Sequence, residues 1–412
     1  MIRINIIFLL FLFSMQSYAN IIVSSNSDIK TIKQAVEIAK DGETILIKEG
    51  LYEESDIVIE KSLKIIGEDE AVIKAKDGNK VFIINSDNVL IKNLTIKDMK
   101  TSYIEDISAI KINNSNSVII ENNTLINTFF GIYAANCTNL IIRDNNIISN
   151  AVEQSSSANG IHLWKCKNIL VENNHVEKHR DGIYFEFVKN SLIKNNYSKL
   201  NLRYGLHFMF SDNNRYYKNR FEDNGAGVAV MYSNNIEMIE NDFVENWGTN
   251  AYGLLLKEIK DSKINNNLFK TNTIGIFGES VIRCQFEHND FMNNGWALKF
   301  ISSSEQNNFL YNNFIGNTFD LATNKNSISY NVFKNNYWSS YNGYDLNKDG
   351  IGDKPHKPVD LFSTVISDSP VAIILLRSMF VDMMNFAEKI VPVITPAGLE
   401  DLEPMMKEIK HD

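Results

Sequence analysis

The chain has three cysteines in 412 residues, too few and too odd in number for a disulfide framework, so at most one bridge forms within it. No block of lysine and arginine occurs, and 41 basic against 50 acidic residues leave a formal charge of −9. That balance excludes a nucleic-acid backbone as main partner, because such binding rests on clustered cations. No apolar run is long enough to cross a bilayer; the longest near the start, Ile6 to Phe13, falls well short. Only six prolines and twenty glycines accompany roughly one asparagine in eight, a mixture foreign to compact α/β units. Asparagine in that quantity marks many short turns. With 44% hydrophobic and 22% charged residues the composition is otherwise that of a folded protein with a large core.

Residues 1–19 have the layout of a secretory signal: Arg3, the short apolar run, then Ser17 and Ala19 as a small-residue cleavage site. The alternative is a buried N-terminal strand. Export to an oxidising compartment follows from the first reading.

A unit of about 22 residues recurs. Its marker is a glycine followed by alternating apolar residues, at Gly131, Gly160, Gly182, Gly205, Gly227, Gly253 and Gly275, with Ala109 and Ala297 in the same place at either end. Each unit adds a second short segment of the form Ile/Leu-x-Ile before an asparagine corner, as at Asn168–Asn174 and Asn235–Asn241. Period two within the segments predicts strands, and units this small must stack to bury an apolar face. The expected fold is therefore all-β, a parallel β-helix over residues 20–336, whose matching asparagines form ladders in the corners. Ile32, Ala35, Val36, Ile38 and Ala39 fall at helical spacing and predict a helix over the open first coil.

Alternation assigns faces. Positions one and three after the marker are uniformly apolar (Ile161 and Leu163, Ile183 and Phe185, Leu206 and Phe208) and point inward. Positions two and four then project outward. The second-position column contains Tyr133, His162, Tyr184 and His207; the fourth contains Trp164, Glu186, Met209, Met231 and Lys257. Solvation does not select such a face, so something binds there. Met209 and Met231 fall on adjacent coils about 5 Å apart, with His207 about 7 Å along the strand from Met209. Thioether plus imidazole is a soft donor set suited to copper(I), with Glu186 placed to orient His207 and His162 as a further donor. The competing reading is a protein interface through Trp164, Tyr184 and Lys257, with methionine and aromatics used for packing.

A polysaccharide-cleaving enzyme is the third reading. Lys257, Glu279, Arg180, Asp181 and Arg203 are its only candidates, and the acids are too sparse for paired-carboxyl or cation-assisted chemistry. Cys137 and Cys166 each stand six places after their marker glycine, which puts the two on neighbouring coils within reach of each other; Cys284 reads as core.

Residues 337–368 form an Asp/Gly/aromatic-rich loop. Asp345, Asn347, Asp349 and Asp353 around Gly350 resemble the spacing of a calcium loop, but His356 stands where the bidentate glutamate belongs, and an Asx-turn loop is the alternative to a hard-cation site. Residues 369–412 read as a docking segment. One amphipathic helix is expected from Pro370 to Val391, too interrupted by charge to span a membrane, presenting Phe380, Met383 and Arg377 to the solenoid or to a partner.

Several stretches carry a family likeness: Asp181 to Phe187, Asn201 to Asp212 with its His-Phe-Met-Phe-Ser core, Gly225 to Ser233 with Val-Met-Tyr-Ser, Asn246 to Gly248, Tyr252 to Lys257, Asn336 to Trp338, and the helix at Leu376. They resemble the periplasmic nitrous oxide reductase maturation family NosD over nearly the whole chain after residue 19. The resemblance implies a right-handed single-stranded β-helix of the pectin-lyase type in the periplasm that is not an enzyme. It implies an accessory subunit of an ABC transporter, with permease, ATPase, a copper chaperone lipoprotein and nitrous oxide reductase as partners, and the membrane reached only through the permease. Copper is the implied metal. It names no ligand here, and His207, Met209 and Met231 rest on the column argument.

Overall fold

The structure is a computed structural model that describes residues 20–68, 70–249, 251–323, 330–376, 378–390 and 399–410. The signal-like segment 1–19 lies outside the described residues, as does Arg377.

Among the described residues, short strands wind into a parallel solenoid with three sheets of 14, 12 and 13 strands, in which each strand pairs with its equivalent one coil later. The recurring unit is visible in one coil: Asp181–Glu186, Leu192–Lys194 and Tyr197–Lys199 pair with Tyr204–Met209, Arg215–Tyr217 and Arg220–Glu222 of the next. The marker glycines have a steric cause. A Cβ at Gly182 would lie 2.7 Å from the carbonyl oxygen of Gly205, and at Gly205 2.8 Å from that of Gly227, so successive coils approach too closely for a side chain.

The core is a filled tube. Inward positions such as Ile161, Leu163, Ile183, Phe185, Leu206 and Phe208 are fully buried. Phe243, Phe269, Phe291, Phe314 and Trp338 stack ring on ring with centroids 4.0–5.0 Å apart. Two asparagine ladders run through buried corners. One links Asn123, Asn145, Asn174, Asn196, Asn219, Asn241, Asn267, Asn289, Asn312 and Asn336, each Nδ2 donating to the Oδ1 one coil on. The other runs from Asn201 to Asn317. Both end on a carboxylate, Asp401 at 2.9 Å and Asp320 at 3.4 Å, where the aligned amide dipoles present their positive ends.

The helix Ile32–Ile38, capped by Thr31 Oγ1, closes the first coil and buries Ile32, Ala35 and Val36, while Ile38 is exposed. The other end departs from expectation. The segment from Pro370 is not one helix: Leu361–Asp368 is helical and capped by Asp360, Pro370–Leu375 is a tight 3-10 turn, and Met379–Ile390 is a second α-helix. Leu376 at φ −55°, ψ 129° breaks the run, and apolar residues continue on both sides, so periodicity alone gives no sign of it. Helix therefore begins inside the segment expected to be loop. Residues 399–410 are not part of a docking helix either; they return to the solenoid, with Asp401 bridging Phe333 and His356, and Met405 bridging Tyr337 and Ile351.

Candidate functional site

Register in the twelve-stranded sheet confirms both outward columns. Tyr133, His162, Tyr184, His207 and Ala229 are successive partners, as are Trp164, Glu186, Met209, Met231 and Lys257. Met209 and Met231 are half-buried neighbours on adjacent coils. Lys257 lies 3.5 Å from Glu279 on the next coil, and Trp164 is covered by the ammonium of Lys165 at 4.2 Å.

The second-position column is less open than expected. His207 is only 6% exposed, because the ring of Tyr184 packs at 5.0 Å and that of Tyr204 at 4.9 Å. Alternation does not foresee the cover. Tyr204 and Asp181 stand immediately before a marker glycine and should face inward, yet the backbone bends at the glycine and turns them onto the outer face. The signal in the sequence is polarity: Asn159 and Asp181 occupy that position, and neither belongs in an aliphatic core.

Glu186 does not orient His207. Its carboxylate accepts from the Tyr184 hydroxyl at 3.3 Å. The carboxylate beside His207 is Asp181, fully buried, with Oδ2 3.6 Å from Nδ1. Asp181 also accepts a fork from Arg203, Nε to Oδ1 at 2.8 Å and Nη2 to Oδ2. Burial alone would raise the Asp181 carboxyl, but Arg203 and His207 outweigh it and hold the group below the ordinary carboxylate range. Arg203 Nη2 gives one hydrogen to Asp181 and, with its second, lies 3.4 Å from Nδ1, so this nitrogen has both a carboxylate and a donor within reach. In the tautomer that places the proton on Nδ1, toward Asp181, the Nε2 lone pair is left for a metal. Nε2 is buried without a hydrogen-bond partner, as a donor nitrogen awaiting a ligand would be.

His162 is set apart. Its Nδ1 accepts from Asn159 Nδ2 at 2.9 Å, and its ring lies between Tyr133 at 4.6 Å and Tyr184 at 4.7 Å, so a whole ring separates it from His207. Burial pushes its pKa down to about 3. Among the described residues no three His, Cys, Asp or Glu side chains converge to hold a metal, so any copper on this face depends on the methionines.

The calcium-like loop is spent on itself. Asp345 accepts from the backbone N–H groups of Lys348 and Gly350, Asn347 from Asp349, Asp349 from Ile351 and Asp353 from Leu346. His356, in the place of the twelfth ligand, packs against Trp338 at 4.9 Å and bridges Asp401. This is the Asx-turn alternative. Cys137, Cys166 and Cys284 are buried free thiols. The hydrogen-bonded Cys137 sulfur and burial push the Cys166 thiol well up.

Beyond the site, the C-terminal helices pack on the same outer face. Phe362, Ile366 and Val381 form a small core with Phe319, against which Trp296 and Met384 rest. Phe380, Met383, Phe386, Met379 and Ile374 remain exposed, so the apolar face that was expected to dock is uncovered and its opposite side does the packing.

A family profile described as "Periplasmic copper-binding protein (NosD)" matches residues 148–343, and one described as "Right handed beta helix region" matches residues 15–159. A protein of Stutzerimonas stutzeri named as a probable ABC transporter binding protein NosD is 26% identical over 374 residues, covering 86% of this chain and 85% of its own. A protein of Pseudomonas aeruginosa with the same name is 26% identical over 371 residues, covering 85% and 86%. Among solved structures, the A-module of the Azotobacter vinelandii mannuronan C-5 epimerase AlgE6 aligns with a TM-score of 0.58 at 14% identity, over 73% of this chain and 92% of that one. A PL6 alginate lyase in complex with a trisaccharide aligns with a TM-score of 0.61 at 12% identity, over 80% and 87%. At those identities the likeness is one of fold.

Proposed function

Since the chain belongs to the NosD family, we propose that it serves in the periplasm as a non-catalytic accessory of an ABC transporter in the assembly of the copper centres of nitrous oxide reductase. The cargo is copper(I), received from a chaperone lipoprotein, held on the outer face of the twelve-stranded sheet and passed to the reductase. Met209 and Met231 supply adjacent thioethers and His207 an imidazole oriented by Asp181. The observation that carries this reading is the pairing of two half-buried methionines in one register column, in a family described as copper-binding. Two or three soft neutral donors give a site from which a partner can take the ion.

The exposed face of Met379–Ile390 is the surface for the permease, with Phe380 and Met383 in the contact. It lies on the side of the methionines: four coil steps separate Met231 from the strand Phe319–Thr323, about 19 Å at the usual strand spacing. Motion of the permease would thus be felt at the copper strip through a rigid rod.

The test is competition between the purified chain and a copper(I) chelator under reducing conditions. One equivalent of tightly held copper is expected, weakened at least tenfold by Met209→Ala with Met231→Ala. Unchanged affinity in the double variant removes the relay site and leaves the second reading, a scaffold that grips partner proteins while copper stays on the chaperone. The enzyme reading would instead show unsaturated products or free reducing ends from uronic polymers.

A further inference from the structure

Six arginines lie among the described residues, and five of them meet a carboxylate. Arg143 pairs with Glu121, Arg203 with Asp181, Arg215 with Glu237, Arg220 with Glu222 and Asp242, and Arg283 with Asp261. Arg180 is the exception. Its Nη2 donates to the neutral side-chain oxygen of Asn159 at 3.2 Å, and its Nε is buried with no partner. The group is half-buried, stands beside Arg203 on the next coil, and shares with it one carboxylate, Asp181, both of whose oxygens are taken by Arg203. Burial, with repulsion from Arg203, pushes the Arg180 guanidinium below its ordinary range.

A half-buried cation that bonds no carboxylate and only shares the field of Asp181 with Arg203 lowers stability, and in a chain of net charge −9 there is no shortage of acids to supply a partner. Its persistence beside the outer face points to an external anion. The donor arrangement selects the kind. With Nε buried, the edge within reach of an external ion is that of the two Nη groups, whose parallel N–H bonds suit two oxygens of one group, the geometry of carboxylates and tetrahedral oxyanions. The rings nearby do not offer a sugar platform: Tyr133, His162 and Tyr184 stack on one another and turn their edges outward.

We propose that Arg180, with Asn159 and the Tyr184 edge as walls, is a receptor for one small oxyanion or carboxylate next to the copper strip. Neither methionine takes part; the site adjoins the copper strip only through Asp181 and Tyr184 beside His207, and it is tested without metal. The anion arrives either as a free ion or as the carboxylate of an acidic peptide from a partner, and the chemistry at Arg180 is the same.

Thermal shift and calorimetric titration of the metal-free full chain with sulfate, phosphate and acetate, and separately with a short glutamate-containing peptide, test it at constant ionic strength. Saturable binding with a rise in melting temperature is expected for at least one probe, lost tenfold or more in Arg180→Gln and retained in Arg283→Gln. Response to the inorganic ions identifies a free ion as the source; response to the peptide alone identifies a partner's carboxylate. The variant should also fold, melting no lower than the parent without anion, because it removes an unpaired charge. Absence of saturable binding for every probe, or equal binding by Arg180→Gln, overturns the proposal, as does a variant that melts well below the parent, which would mark Arg180 as a structural residue.

Discussion

Replacing Asp401 by alanine should detach the C-terminal tail from the solenoid while leaving the coils folded. Asp401 is fully buried and its Oδ2 accepts three hydrogen bonds, from Asn336 N at 3.0 Å, Asn336 Nδ2 at 2.9 Å and Trp338 Nε1 at 3.1 Å, while Oδ1 accepts from Glu403 N at 3.1 Å. Alanine leaves three buried donors without acceptors. At about 1–3 kcal/mol for each stranded group, part of it relieved by water entering the opened corner, the loss is about 3–5 kcal/mol. Because each coil of a solenoid answers only to its neighbours, that loss falls on the last coil and on residues 399–410 and not on the whole rod. Hydrogen exchange reads it directly: the amides of Asp401, His356, Gly352 and Met405, which bond across the tail junction, should lose protection, whereas those near Gly205 keep theirs. Asp401→Asn retains one acceptor oxygen, loses the charge at the positive end of the ladder, and should cost about 1–2 kcal/mol. Unchanged protection at His356 and Met405 in the alanine variant would refute the capping role.

Gly205→Ala should destabilise the central coils by about 1–3 kcal/mol in a denaturant melt, since its Cβ would sit 2.8 Å from a backbone carbonyl, while Gly248→Ala, whose Cβ meets only Ala251 at 3.7 Å, should be neutral. The fully buried His179, with neither ring nitrogen hydrogen-bonded and its pKa pushed down to about 3 by burial, stays neutral when folded but titrates near 6.5 when unfolded. Its contribution is therefore complete above pH 6.5 and is lost at about 1.4 kcal/mol per pH unit as the pH falls toward 3; His162, also held down to about 3, adds a slope of its own, so in urea melts between pH 7 and 4 the His179→Gln chain should fall about 1.4 kcal/mol per unit less steeply than the parent, and equal slopes would contradict it. Asp181→Asn should weaken copper(I) binding by about tenfold through loss of the orienting carboxylate, and lower stability by about 3–5 kcal/mol by leaving Arg203 unpaired; chelator competition showing full affinity in a folded variant would separate His207 from the metal.

The repeat was legible because its cause is local: a glycine where coils touch, apolar residues at alternate places and asparagine at the corner all fall within 22 residues. From it followed the sheet, its register and the adjacency of Met209 to Met231. Two features escaped. Asp181 and Tyr204 reach the outer face through a bend at the marker glycine, and a strict period of two assigns them to the core. The tail's return depends on Asp401 meeting Asn336 across 65 residues, with no periodic partner to announce it. The broken C-terminal helix belongs with these, since hydrophobicity continues through Leu376 and only the backbone angle there changes.

A β-helix suits delivery of a soft metal because it sets donor spacing by the backbone. In a globular site, ligands from distant segments converge only after the whole core has formed; here the separation of Met209 and Met231 is the coil repeat itself, about 5 Å, maintained by ladder bonds on every side. The long, unbranched methionine side chains can close that backbone spacing onto one ion, and a third donor would come from His207 or from an arriving protein. Rigidity then does the rest. In the proposed relay, the Asn ladders and stacked phenylalanines along the tube are the contacts that would carry a tilt from the C-terminal helices to the strip. A flexible linker in place of those four coils would break that proposed coupling and leave the register of Met209 and Met231 unchanged.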